Sequence, residues 1–178
     1  MSAIDPACHW SICLSLALLW FSSARNKLRE QRRFQQTLLS YQLLPAPLAA
    51  VLGWLLPCLE LLIAVALLIP AGRDIPALAA AALLLVYGLA MGVNLLRGRH
   101  DLECGCSPGS DQFISWGLVL RNVLLGAATL ALLLPLTDRP VRVIDLLAIP
   151  LLTLLLCASY ITVTSIMLER AATDREND

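Results

Sequence analysis

Charge is scarce in this 178-residue sequence: Asp, Glu, Lys and Arg make up 15% of it, against roughly 25% in a soluble domain. Aromatic residues reach 6%, and histidine occurs twice. Acids and bases cancel to a formal net charge of zero, which excludes the basic surface of a nucleic-acid-binding protein. Short alternating segments are missing as well, which excludes a transmembrane barrel. Met1 to Trp10 contains no Lys or Arg, so the first apolar stretch lacks the basic start of a cleavable signal peptide and is read as a retained span. No repeat of 20–50 residues is visible, which excludes a solenoid.

What the sequence does have is apolar surface. Hydrophobic residues make up 58% before the nine glycines are added, where a soluble domain has roughly 45–50% with glycine included. The excess is Leu and Ala in long uncharged runs. The expected fold is therefore an all-α integral membrane helical bundle of about five transmembrane helices, a four-helix core plus one, in a single transmembrane domain over residues 1–178. A span needs about 20 mainly apolar residues. The candidates cover about 4–21, 47–69, 75–96, 113–136 and 143–168. Residues 25–44 mix five cations with leucines and predict a basic helix lying in the membrane interface. A loop over 97–112 and a polar tail over 169–178 complete the soluble material. Small residues four apart, Ala49 with Gly53 and Gly88 with Gly92, predict close helix contacts.

Cations sort by face. With five spans, one face collects nine Lys and Arg, while the other holds Arg73, Arg139 and Arg142. The bias predicts an outside N-terminus and a cytoplasmic 97–112 loop in a multi-pass protein of the cell inner (cytoplasmic) membrane.

The most informative stretch is RGRHDLECGCSPGS, residues 97–110, in which Cys104 and Cys106 flank Gly105. Glycine gives the backbone the torsions a small disulfide ring demands, and such a strained ring is readily reduced. The pair therefore reads as a thiol-disulfide exchange site. Its thiolates are favoured by the positive end of the following helix and by Arg97, Arg99 or His100, and opposed by Asp101 and Glu103. Two other readings stay open: a metal site of His100, Cys104 and Cys106, which lacks a clear fourth ligand, and a static bridge or two idle thiols. No metal is expected. Cys8, Cys13, Cys58 and Cys157 read as small hydrophobes in or beside the spans.

Glu60 falls well inside the second span, where an unpaired carboxylate is costly. Arg121 in the fourth span is its expected partner, directly or through Asn122. The pair either fixes helix register or forms a polar site beneath the Cys loop that binds a quinone or tunes the thiols.

The loop and its continuation, GRHDLECGC and ISWGLVLRN, resemble the signature of the MauE family, membrane proteins of methylamine utilization operons, and more distantly DoxX-like small membrane proteins. Lys27 and Leu28, Tyr41 to Pro45, the PCLE stretch from Pro57 to Glu60, and Asn94 to Gly98 extend the similarity over most of the chain. Ser22, Ser23, Ala24 and Arg25 stand where small glycines are expected, a departure that touches the DoxX-like end of the comparison. The resemblance implies maturation, processing or export of the methylamine dehydrogenase β (small) subunit, a disulfide-rich periplasmic polypeptide whose quinone cofactor is made from tryptophan. It implies a thioredoxin-like partner, MauD, and makes Cys104 and Cys106 the exchanging thiols, supported by Glu60, Arg121, Asn122 and His100. The remaining readings are a non-redox assembly factor or chaperone and a DoxX-like quinone-linked oxidoreductase. Besides these proteins the expected partner is the lipid bilayer, with no nucleic acid. No bound cofactor is required, a quinone being the one candidate.

Overall fold

A computed structural model of the chain describes residues 4–70, 72, 74–104, 113–137, 139–140 and 142–176. These residues form six helices: α1 (Pro6–Arg29), α2 (Gln31–Ser40), α3 (Ala46–Ala66), α4 (Asp74–Leu96), α5 (Trp116–Ala131) and α6 (Asp145–Glu176). Among the described residues β-structure is limited to two isolated bridges.

The helix ends follow from local chemistry. Asp5 caps α1 by accepting the Ala7 N–H at 2.9 Å, with Pro6 in the first turn where its missing N–H costs nothing. Ser115 caps α5 by accepting from Leu118 N at 3.4 Å. α4 stops where Gly98 turns left-handed at φ 73°, a conformation glycine adopts without steric cost. Inside α3, Pro57 lacks the N–H that would bond the Gly53 carbonyl four residues back. The freed carbonyl accepts instead from the Gln31 side chain at 2.8 Å, so the proline break becomes the seat of α2. Gly53 is required there, because a Cβ at that position would lie 2.5 Å from Gln35 Cγ.

α1 packs along α3 and α6, α4 lies against α5, and α2 rests on α3. One core joins Cys13, Leu16 and Trp20 of α1 to the end of α3 and the first half of α4. A second, at the opposite end, gathers Tyr41, Met91, Leu95, Leu102, Cys104, Ile114 and Leu118. The far end is closed by Arg139, which binds Asp5 at 2.9 and 3.0 Å and Asp145 at 3.0 and 3.1 Å. Residue 4 and residues 135–137 exchange backbone hydrogen bonds beside it.

Among the described residues four helices are long and apolar enough to cross a membrane: α1, α3, α4 and the Asp145–Met167 part of α6. Their outward faces carry Trp54, Leu62, Leu85 and Leu154, all exposed, as in a bundle solvated by lipid. The all-α membrane bundle is therefore present, with several boundaries moved. α1 runs through residues 22–29, so the interfacial helix shrinks from 25–44 to Gln31–Ser40. α5, at 16 residues, is shorter than the span expected over 113–136, and α6 continues through the expected polar tail as far as Glu176. The Ala49 and Gly53 face meets α2, Gly88 faces Asn122 of α5, and Gly92 faces open space. Cys13 is buried as expected, whereas Cys8 and Cys58 lie on exposed faces.

Candidate functional site

Lys27, at the end of α1, is buried, and its ammonium forms an ion pair with Glu60 of α3, which has no solvent exposure. Lys27 Nζ also donates to the Tyr87 hydroxyl at 3.2 Å, and that hydroxyl donates to Glu60 Oε1 at 2.7 Å, closing a three-membered ring of polar groups from α1, α3 and α4. The ammonium lies 4.4 Å from the Tyr87 ring centre and 5.0 Å from that of Phe34, so two aromatic faces replace part of its lost hydration. Glu60 Oε2 accepts no hydrogen bond from the described residues. At 1.5 Å per residue, Glu60 lies about 21 Å along α3 from its start.

This arrangement corrects the expected Glu60–Arg121 contact. Arg121 is buried on α5, 5.8 Å from the Tyr160 ring centre of α6, and Asn122 is buried next to it against α4. A long cation at the end of an apolar helix, able to reach back along its own span, was the overlooked signal. Lys27 reads as a loop cation as long as α1 is ended at residue 21.

Nearer the membrane face, the loop after α4 is closed at its base. Ile114 N donates to Leu102 O at 2.8 Å, and Glu103 and Phe113 form an antiparallel bridge. This pins Cys104, 9% exposed, against α4 and α5, with its Sγ 4.0 Å from Met91 Sδ. Cys106 lies outside the described residues. His100 is exposed, and Arg99 donates to the buried Asn94 side chain at 3.4 Å. Glu103, expected to oppose a thiolate, is paired with Arg33 of α2 at 2.9 and 3.0 Å. These hydrogen bonds hold its carboxyl below the usual carboxylate range. The Arg33 pair thus ties α2 to the Cys loop and offsets one of the two nearby acids.

The family model described as "Methylamine utilisation protein MauE" matches residues 5–135, which take in α1 to α5, the ion pair and the Cys loop. The chain belongs to the MauE family. A MauE protein of Paracoccus denitrificans is 40% identical over 130 residues, covering 72% of this chain and 70% of that protein. One from Paracoccus versutus is 39% identical over 145 residues, 80% of this chain and 77% of its own length. A third, from Methylophilus methylotrophus, is 40% identical over 128 residues, with coverage of 71% and 67%. No solved structure matches. Within this MauE chain both buried polar features fall inside the matched region, whereas α6 lies beyond it.

Proposed function

We propose that this MauE-family protein acts in methylamine utilisation, in the inner membrane, by supporting maturation, processing or export of the methylamine dehydrogenase β subunit through thiol-disulfide exchange with a thioredoxin-like partner such as MauD. The observation that carries this reading is Cys104. Its sulfur is fixed at one end of the bundle beside Met91, in a loop clamped by the Leu102–Ile114 hydrogen bond and steadied by Arg33.

The burial of Cys104 suits it to the resolving role. A buried cysteine is a poor entry point for another protein, so the partner's sulfur exchanges at Cys106 and Cys104 resolves the mixed disulfide. Replacing Cys104 by Ser then accumulates a mixed disulfide at Cys106, visible as a mobility shift on a non-reducing gel. Replacing Cys106 by Ser yields none. The double serine variant loses active β subunit. Full β-subunit maturation in that double variant would return the function to a non-redox assembly factor.

Orientation is tested directly. The face carrying α2 and the Cys loop remains the more basic one, with eight Lys and Arg to three after the buried Lys27 is set aside, which points it to the cytoplasm. A periplasmic client calls for the opposite side. A membrane-impermeant maleimide applied to intact cells distinguishes the two through labelling of a cysteine introduced in the loop at His100.

A further inference from the structure

α6 meets the bundle through few buried side chains. Among its described residues it buries Asp145, Thr153 and Thr164 and no apolar side chain. The space it leaves against α1 and α5 is an open groove of about 440 Å³. Ile12 and Ser22, ten residues apart on α1, and Leu156 and Met167, eleven apart on α6, line it, so the groove runs about 15 Å along the bundle. That length equals one leaflet of a hydrocarbon core roughly 30 Å thick.

The lining changes character along that length. α1 and α6 run toward the end that carries the Cys loop and α5 runs away from it, with Met167 against Gly117 in the first turn of α5. Ser22, Arg121, Tyr160 and Thr164 therefore lie toward the Cys-loop end of the groove, and Ile12, Leu16, Ala128 and Leu156 lie deeper. The hydroxyls of Ser15 and Ser159 donate to carbonyls of their own helices at 2.7 and 2.8 Å, so neither offers its proton to a ligand. Arg121, 7% exposed, is the only charged residue among the described residues of the lining. Its guanidinium carbon stands 5.8 Å from the ring centre of Tyr160, itself a lining residue, which places the cation at the groove wall.

Size, depth and charge select the occupant. A 15 Å length of α-helix with its side chains fills about 1,200 Å³, nearly three times the groove, whereas a single acyl chain is thin enough to enter. Arg121 follows Trp116 by five residues, about 7.5 Å, and Trp116 is exposed at the start of α5 as interfacial aromatics are. A head group at that interface is within reach of an Arg side chain. A phosphate matches a guanidinium through two parallel hydrogen bonds. Among the described residues no carboxylate lines the groove to receive the ammonium of a zwitterionic head, so charge complementarity favours a head of net negative charge.

We propose that the groove binds one anionic phospholipid of the phosphatidylglycerol class, its phosphate on Arg121 and one acyl chain lying between α1, α5 and α6. The chain supplies the apolar packing that α6 does not obtain from protein, and so fastens to the bundle the one helix that lies beyond the family match. The site stands independently of thiol exchange at Cys104 and Cys106.

The test uses the full chain purified in dodecyl maltoside and offered equal amounts of phosphatidylglycerol, phosphatidylethanolamine and phosphatidylcholine with identical chains, the retained lipid being counted by native mass spectrometry. One retained lipid per protein is expected, with phosphatidylglycerol preferred by about fivefold, the worth of one well-placed cation. Arg121→Gln should abolish that preference and Arg121→Lys should keep most of it. Ala128→Trp, which fills the deep end without touching Arg121, should lower retention of all three lipids. Replacing the exposed Arg25 and Arg29 by Gln should leave the preference in place. Equal retention of the three lipids by the wild-type protein overturns the proposal, as does a preference that survives Arg121→Gln but disappears with Arg25 and Arg29. Undiminished retention by Ala128→Trp overturns the groove as the seat of the chain, and this holds even if Arg121→Gln fails to fold. An isoprenoid quinone or a second polypeptide retained in place of phospholipid by protein taken from native membranes overturns the proposal too.

Discussion

Two of the ion-pair clusters among the described residues differ in what surrounds them. At the end opposite the Cys loop, Arg139 joins Asp5 and Asp145 across 134 residues of chain, with Arg139 27% and Asp5 42% exposed. In the interior, Lys27 and Glu60 are 2% and 0% exposed and join α1 to α3. In the outer cluster Arg139 and Asp5 can exchange each other for water, while the buried Asp145 keeps the Arg142 backbone N–H at 2.7 Å when Arg139 is lost. The inner pair has no such alternative. Its members are tolerable only together, with Tyr87 and two aromatic faces completing their environment. The same chemical pairing is thus a fastening at the rim and an obligation at depth.

The sharpest way to break that contrast is to remove one interior partner. Glu60→Leu leaves a buried ammonium and should cost about 3–5 kcal/mol, whereas Lys27→Met combined with Glu60→Leu should be close to neutral. Unfolding of the detergent-solubilised protein checks both, and equal losses in single and double variants would remove the distinction. The next effect is Arg139→Ala, which should lower the unfolding midpoint less than Glu60→Leu does, because Asp5 can turn to water and the buried Asp145 keeps the Arg142 N–H. A larger drop would make the rim the true anchor.

Smaller again is the seat of α2: Gly53→Ala places a methyl against Gln35 and should cost about 1–3 kcal/mol, partly restored by adding Gln35→Ala. The smallest effect is the Arg33–Glu103 pair. Arg33 holds the Glu103 carboxyl below the usual carboxylate range, so the stabilisation is complete above that range and fades as pH falls through the lowered value. Acidification should loosen the α2–loop attachment, read by hydrogen exchange at Leu102 and Ile114, and Arg33→Ala should abolish that acid sensitivity.

The difference between rim and interior also explains how the sequence could be read. Runs of Leu and Ala fix helices and membrane residence because they are one-dimensional signals: length at 1.5 Å per residue and absence of charge suffice. Glu60 stood out for the same reason, as a carboxylate in an apolar run. Its partner did not. Arg121 was a reasonable expectation from depth alone, but depth says nothing about which faces two helices turn toward each other, and Lys27 was hidden by ending α1 too early. Gly53 was legible as a close contact, although the contacting element proved to be α2, seated on the carbonyl that Pro57 leaves free.

By itself, then, the sequence determined an all-helical membrane chain, one carboxylate that had to be paired, and a short Cys loop beside a helix start. Tertiary structure decided the pairing of Glu60 with Lys27 and Tyr87 and the burial of Cys104 against Met91. The physical reason is that burying a polar group sets a requirement readable in one dimension, while the group that meets it is chosen by side-chain reach and helix rotation in three.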